Sequence, residues 1–476
     1  MDCRNFNGYT NTSDFETEMK ERIAILGAGE SGTGAALLAR VKGYDVFVSD
    51  QGTIKDKYRD DLVRHKIEFE EGSHTETKIL NAKLVVKSPG IPEKAEIIKK
   101  IKAKGIEIID EIEFGFRYIQ GKVIAITGTN GKTTTTLLTY HLMKSAGFSV
   151  ALAGNVGESL ARKIANGNSD WYVLEISSFQ LDGTKSFKPE IGILLNITPD
   201  HLDRYEYNIQ NYVNSKFQLI QNMDKDSHFI YYADDDVIAK EIAAKKIASQ
   251  KVPVSLKASA KTPVHFDGEM IFNLAEKFSV AQKDTTLKGP HNLINTMAAV
   301  SAVFLAGAKL TSIREGLKTF KNAPHRLELI ATINGVDFVN DSKATNVDSV
   351  VYGLGSYSQP LIWIAGGIDK GNDYNMIKGQ VQEKVKVLIC LGKDNEKLKK
   401  FFGGIVPVIH ETQSVSDLVR IGLREAKKGD VVLLSPACAS FDLFKNYEDR
   451  GDQFRRATLE LKKEVEGISS VNELKK

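Results

Sequence analysis

Val123-Ile124-Ala125-Ile126-Thr127-Gly128-Thr129-Asn130-Gly131-Lys132-Thr133-Thr134 is the stretch on which the reading of this chain turns. The apolar run Val123–Ile126 predicts a buried strand that ends in a glycine turn. The pattern from Thr134 to Ala146 predicts a helix. A glycine loop between a strand and a helix turns backbone N–H groups inward, and the helix N-terminus adds a favourable dipole, so phosphate oxygens are the natural ligand. Lys132 would neutralise phosphate charge and Thr133 would offer a hydroxyl to Mg²⁺. Only Thr129 and Asn130 separate the two glycines, where the strict phosphate-loop pattern has four residues. The plain alternative is an ordinary glycine turn, and the strand–loop–helix context favours nucleotide.

The same alternation extends in both directions. Arg22–Leu26, Tyr44–Ser49 and Leu84–Val86 read as strands before the loop, with a helix over Ala35–Val41. Trp171–Ile176 and Ile191–Leu195 follow it, then a long helical pattern from His291 to Ala306. Beyond Pro324, Val336–Val339, Leu361–Ile364, Val387–Ile389 and Val431–Leu434 read as strands, closed by a charged helix over Gly451–Gly467. Lys251–Lys288 is poorly periodic and reads as hairpins or loops. Short apolar runs alternating with helices predict an α/β fold of mostly parallel sheets flanked by helices. Three domains are expected: residues 1–118 Rossmann-like, 119–322 like a phosphate-loop NTPase, and 323–476 Rossmann-like again.

Composition narrows the function. Across 476 residues the formal net charge is +3, so nothing marks a nucleic-acid-binding surface. Cys3, Cys390 and Cys438 are the only cysteines and have no metal-ligand spacing, which fits a reducing cytoplasm. No apolar run is long enough to span a bilayer, and Met1–Arg22 lacks the apolar segment of a signal peptide.

Several loops at predicted strand ends carry chemistry. Gly27-Ala28-Gly29-Glu30-Ser31-Gly32 matches GxGxxG after a strand, with Asp50 at the expected distance. It suits a nucleotide diphosphate, with NAD as one form, and Glu30 must then point away from the ligand. Ser88-Pro89-Gly90 lies at another strand's carboxyl end. The strand Trp171–Ile176 carries Glu175, which is placed to take Mg²⁺, or else to pair with a lysine. His201 sits in the polar loop Asp200-His201-Leu202-Asp203-Arg204-Tyr205, and Lys216 one helix on reads equally as a solvated lysine. Lys343 and Lys370 admit a surface reading as well. Gly366-Gly367-Ile368-Asp369-Lys370-Gly371 follows a strand, which favours function for Lys370.

With these motifs in place, the sequence resembles the Mur ligases. The resemblance rests on the Gly128–Thr133 loop, Leu174–Leu181, Asp200–Tyr205 and Pro324-His325-Arg326. Asn340-Asp341-Ser342-Lys343-Ala344-Thr345-Asn346 and Leu434–Asp442, continuing through Tyr447 to Gly451, are similar to the D-glutamate-adding branch of that family. What the resemblance implies is an ATP-dependent carbon–nitrogen ligase. It would join D-glutamate to UDP-N-acetylmuramoyl-L-alanine through an acyl phosphate, in a cytoplasmic step of peptidoglycan synthesis that serves cell-wall biogenesis, cell shape and division. The implied catalytic residues are Lys132, His201 and Lys216. ATP would contact Gly128, Thr129, Asn130, Gly131, Lys132, Thr133, Thr134, Asn295, Arg326 and Asp341. Two Mg²⁺ ions would be held by Thr133, Glu175, His201 and Lys216, the last as a CO₂-derived carbamate. The UDP group would face Ser31, Ser88 and Gly90, and the muramoyl part Asn155, Ser177 and Gln180. D-Glutamate would meet Thr345, Lys370, Ser440 and Tyr447, and Lys343 is a further substrate-binding residue. The expected partners are these small molecules, with no nucleic acid or membrane, acting on a monomer.

Two other classes compete. An oxidoreductase built on Gly27–Asp50 leaves the Gly128 loop without a purpose, and NADH titration separates it. A nucleotide-gated binding protein without chemistry leaves the dense polar loops unexplained.

Overall fold

The structure is a computed structural model of the 476-residue chain. It describes residues 20–257, 264–273, 278–287, 289–369 and 371–467. Among the described residues twenty strands form three sheets. The first contains β1 (Arg22–Leu26), β2 (Asp45–Asp50), β3 (Glu68–Glu71), β4 (Leu84–Lys87) and β5 (Glu107–Asp110), ordered β3-β2-β1-β4-β5 and wholly parallel. The second contains β6 (Lys122–Thr127), β7 (Val150–Gly154), β8 (Trp171–Glu175), β9 (Ile191–Leu194), β10 (His228–Tyr232), β11 (Gln250–Ser255), β12 (Val264–Phe266), β13 (Met270–Asn273) and β14 (Phe278–Ala281). Its order is β14-β13-β12-β11-β10-β9-β6-β8-β7, parallel except for the hairpins β12 to β14. The third contains β15 (Glu328–Ile333), β16 (Val336–Asn340), β17 (Leu361–Ala365), β18 (Val385–Leu391), β19 (Val408–Thr412) and β20 (Val431–Leu434). Its order is β15-β16-β20-β17-β18-β19, and only β15 runs antiparallel.

The expected α/β class is therefore the observed one. The central strands β6, β8, β17 and β20 are almost entirely buried, as strands covered by helices on both faces must be. The segment expected to be hairpins or loops opens with a sixth parallel strand, β11, and then turns into hairpins. The first helix spans Glu30–Val41, a turn and more before the expected Ala35. Its glycines serve close packing instead of breaking the helix: a Cβ on Gly32 would lie 1.7 Å from the Gly27 carbonyl oxygen. The last helix likewise starts early, at Tyr447, because the Asn446 side chain caps it.

The chain packs as two compact units. One comprises residues up to Ile119 together with Glu158–Asn168 and Asp182–Phe187; the other holds the second and third sheets. Three carboxylates draw the two inserted segments into the first unit. Glu30 accepts from the Ser159 N–H, the Ser159 hydroxyl and Arg162 Nε at 2.8–3.2 Å, so its side chain does point away from the glycine loop. Glu113 accepts from the backbone N–H groups of Lys185, Ser186 and Phe187; burial raises its carboxyl, but the Ser186 hydroxyl, the Lys185 and Ser186 N–H groups and Arg117 hold it below the usual carboxylate range. Glu111, 1% exposed, accepts from the Ala161 N–H at 2.6 Å.

Burial pushes the Glu111 carboxyl up to about 8, and neighbouring Asp110, itself pushed up to about 7, adds to the shift. A carboxyl that holds its proton more tightly in the fold stabilises it less as pH rises from the ordinary 4.5 through 8. Glu111→Gln keeps the acceptor and removes that titration. In urea unfolding between pH 6 and 9, the wild type should lose on the order of 2 kcal/mol more stability than the variant. Equal losses would mean that Glu111 is ionised in the fold.

Candidate active site

The Gly128–Thr133 loop joins β6 to the helix Lys132–Ser145, which starts two residues before the expected Thr134 and so puts Lys132 and Thr133 in its first turn. Gly128 and Gly131 take φ of +147° and +84°, and a Cβ on Gly131 would lie 2.4 Å from Asn295 Oδ1. The loop is braced from the end of β9. Asn196 accepts from the Asn130 N–H at 2.8 Å through Oδ1 and from the Thr129 N–H at 2.9 Å through its carbonyl. The Thr129 hydroxyl pairs with Tyr212 at 3.1 Å.

Two lysines converge on this loop. Lys132 Nζ donates to the carbonyls of Gly128 and Thr129 at 2.9 and 2.8 Å. Lys216, on the helix Ile209–Phe217, is 1% exposed and donates to the same Gly128 oxygen at 2.9 Å, with its ammonium over the Tyr212 ring. Burial lowers the pKa of Lys132, partly offset by Glu175. Both ammonium groups thus donate to one neutral acceptor at the start of the helix Lys132–Ser145.

Glu175 ends β8 at 2% exposure. Its Oε1 accepts from Asn155 Nδ2 at 2.8 Å, and among the described residues its buried Oε2 has no hydrogen-bond partner. An orphaned carboxylate oxygen in a buried site fits a cation ligand. Among the described residues no group of three or more His, Cys, Asp or Glu converges as a ready metal cluster.

The third sheet contributes from the other side within the same unit. Arg326 Nη2 donates to the Thr133 hydroxyl at 2.9 Å, and its buried Nε has no partner among the described residues. Arg326 is aimed by an unusual turn: His325 and Leu327 on either side take positive φ. Asp341, 8% exposed, accepts from Ser435 Oγ at 2.9 Å, and burial pushes its carboxyl up to about 7. Between them lies a cavity of about 420 Å³, bordered by Asn130, Gly131, Asn295, Arg326, Asp341 and Lys343. Burial, and then Arg326, lower Lys343 to about 8. Its volume and mixed polar and apolar lining suit a nucleotide-sized molecule.

Residues 22–97 match the MurD N-terminal domain, 126–303 the Mur ligase middle domain, and 325–438 the Mur ligase glutamate ligase domain. A UDP-N-acetylmuramoylalanine–D-glutamate ligase of Cytophaga hutchinsonii is 52% identical over 448 residues, covering 93% of this chain and all of that protein. The chain belongs to the Mur ligase family. The same enzyme of Bacteroides thetaiotaomicron is 50% identical over 443 residues, with 93% and 100% coverage. Among solved structures, the UDP-N-acetylmuramate–alanine ligase of Thermotoga maritima shares the fold, with a TM-score of 0.60 at 16% identity over 93% of this chain and 100% of that one.

In this Mur ligase the remaining expected residues sort into distinct settings. Ser177 and Gln180 are engaged with each other, since the Ser177 N–H and hydroxyl both donate to Gln180 Oε1 at 3.0 Å. His201 takes a left-handed φ of +51°, lies near Asp200 and packs on the Phe179 ring. In the first unit the Ala28 N–H donates to Asp50 at 2.6 Å, so the acid braces the glycine loop. A Cβ on Gly27 would lie 2.6 Å from Ser88 Oγ, which places Ser88 directly against that loop; Ser31 lies in the first turn of the helix that follows it, and Gly90 is exposed. In the third sheet's loops, Lys343 lies over the Tyr447 ring, Ser440 is 2% exposed, and Thr345 is half-buried. Lys370 lies outside the described residues.

Sequence reading missed Arg450. It precedes the charged stretch read as a helix from Gly451, and the sequence assigns it no role; in the structure it is 1% exposed. Its guanidinium donates to Ser342 Oγ and to the carbonyls of Ser342, Cys438 and Gly366, tying three loops of the third sheet together. The one signal was Gly451 beside it: a Cβ there would lie 2.1 Å from His325 Nδ1.

Proposed function

We propose that this protein ligates D-glutamate to UDP-N-acetylmuramoyl-L-alanine at the expense of ATP, in a cytoplasmic step of peptidoglycan synthesis. The observation that carries the reading is the convergence of Lys132, Lys216 and Arg326 on one braced phosphate loop, beside the orphaned oxygen of Glu175. Relatives about half identical over their whole length are named for this reaction.

A carboxylate resists an amine nucleophile. Transfer of the ATP γ-phosphoryl group to the acceptor's carboxylate gives an acyl phosphate and ADP; the amine of D-glutamate then attacks the acyl carbon, the C–O bond to phosphate breaks, and phosphate leaves. Both partners of the first step are anions. Lys132 and Arg326 supply fixed positive charge where negative charge builds on the transferring group. Gly128–Thr134 cradle the phosphates through backbone N–H groups, and Asn295 and Asp341 face the rest of the nucleotide. Thr133 and Glu175 would hold Mg²⁺, which neutralises phosphate charge when bound. His201 and a carbamate on Lys216 would complete a second Mg²⁺ site. Ser31, Ser88 and Gly90 serve the UDP group, and Asn155, Ser177 and Gln180 the muramoyl part. Lys343, Thr345, Lys370, Ser440 and Tyr447 hold and orient D-glutamate, whose two carboxylates call for cations and hydroxyls.

Phosphate release from ATP and Mg²⁺ with UDP-N-acetylmuramoyl-L-alanine tests the reading. It is expected with D-glutamate and absent with L-glutamate, L-lysine or no amine. Release with a different amino acid alone would retain the ligase chemistry and overturn the substrate assignment.

A further inference from the structure

In the third sheet the loops that follow β17 and β20 are zipped together. The Ile368 N–H donates to the Ala439 carbonyl at 2.8 Å, and the Ala439 N–H returns to the Ile368 carbonyl at 3.2 Å. Gly367 permits the approach, since a Cβ there would lie 2.2 Å from the Ala439 oxygen. Asn372 Nδ2 adds a bond to the Ala437 carbonyl at 3.0 Å. Ser440, 2% exposed, comes directly after this bridge. The far side of the first loop is held by one carboxylate. Asp369 Oδ1 accepts from the Gly371 and Asn372 N–H groups at 2.8 and 2.9 Å, and its Oδ2 accepts from the buried Tyr374 hydroxyl at 2.8 Å. Lys397 lies on the helix Glu396–Phe402, which follows β18. It donates to Asp369 Oδ1 and to the Asn372 carbonyl, both at 2.9 Å. Burial alone would raise the Asp369 carboxyl, but the bonds from Lys397, Tyr374, Asn372 and Gly371 outweigh it and hold it below the usual carboxylate range.

The Lys397 side chain is 51% exposed, and an exposed ion pair adds little to folding. Its second bond, to a backbone carbonyl, fixes the geometry of the turn instead. We propose that Asp369 and Lys397 are positioning residues for D-glutamate: they lock the turn around Gly371 and Asn372, and through the Asn372 bond they steady the loop that presents Ser440. This rests on the reading that Ser440 holds D-glutamate. Lys397 also offsets the Asp369 charge, so the turn adds no net negative charge beside residues that take a substrate with two carboxylates.

Steady-state kinetics of phosphate release by the full chain, with each substrate varied in turn, tests the positioning role. Lys397→Met should raise the KM for D-glutamate about 10-fold, the scale of one lost charge-assisted hydrogen bond at a positioned loop, with kcat, the KM for ATP and the unfolding midpoint retained. Lys397→Arg keeps the charge, and its fork can serve both acceptors, so it should show the wild-type KM. Asp369→Ala should raise the same KM further, because the Gly371 and Asn372 N–H groups lose their acceptor as well. An unchanged KM for D-glutamate in Lys397→Met, or a fall in kcat and midpoint without a KM change specific to D-glutamate, overturns the proposal. Ser440→Ala with a wild-type KM for D-glutamate would instead remove the reading beneath it.

Discussion

Lys132→Ala should reduce phosphate release by at least about 10³-fold while leaving the unfolding midpoint within the range of a surface substitution. The two halves of this expectation have different causes. Among the described residues the Lys132 ammonium donates to neutral carbonyls, those of Gly128 and Thr129. Burial and nearby Arg326 both disfavour its charge. Removing it relieves that cost, and Lys216 still satisfies the Gly128 oxygen, so the fold loses little. Turnover has no such compensation. Charge migrating from the γ-phosphoryl oxygens in the transition state needs a cation fixed at the helix start, and water entering the gap is a mobile, weaker substitute. Nucleotide affinity should fall less than turnover, because the remaining loop N–H groups and Arg326 still hold ground-state phosphates. Turnover within tenfold of wild type would take Lys132 out of the chemistry. A lowered unfolding midpoint would show that it braces the loop.

The phosphate loop and the sheets were legible for a common reason. Val123–Ile126, Leu361–Ile364 and Val431–Leu434 are covered on both faces, so they are continuously apolar and read as strands without any tertiary information. The loop after Val123–Ile126 carries Lys132, the strand Trp171–Glu175 ends on Glu175, and Asp341 follows the strand Val336–Asn340; of these three residues Asp341 lines the cavity. What could not be read depends on partners remote in sequence. Nothing local in Glu158–Asn168 or Asp182–Phe187 signals the first unit; their attachment is to Glu30, Glu111 and Glu113, about 50 to over 120 residues away. Arg450 in a charged helix looks like a solvated residue, because its acceptors are backbone carbonyls, which leave no compositional trace. Tyr352 sits in an apolar helical pattern, where an aromatic ring reads as core. In the structure that ring lines the cavity beside the phosphate loop.

Lys216→Ala should lower turnover at least about 100-fold, and short carboxylates should restore part of it. The side chain is 1% exposed and donates to the oxygen that Lys132 also uses. As an ammonium it is a second cation on a carbonyl already served, and it offers no lone pair to a metal. Reaction of its neutral amine with CO₂ forms an N–C bond, releases one proton and converts the group into an anion with two oxygen donors. A carbamate there would offer anionic oxygen donors, the ligand type that Mg²⁺ takes. If so, alanine at position 216 leaves a cavity about the size of the lost chain, and acetate or propionate can enter it as the missing anion. Sodium chloride at equal ionic strength should give no recovery, which separates site occupancy from screening. Lys216→Arg should be as inactive as alanine and insensitive to carboxylates, since guanidinium keeps the charge and fills the space. Should Lys216→Arg retain activity, or should carboxylates leave Lys216→Ala unchanged, the lysine acts as a brace for Gly128 and the second metal site has to be built from other groups.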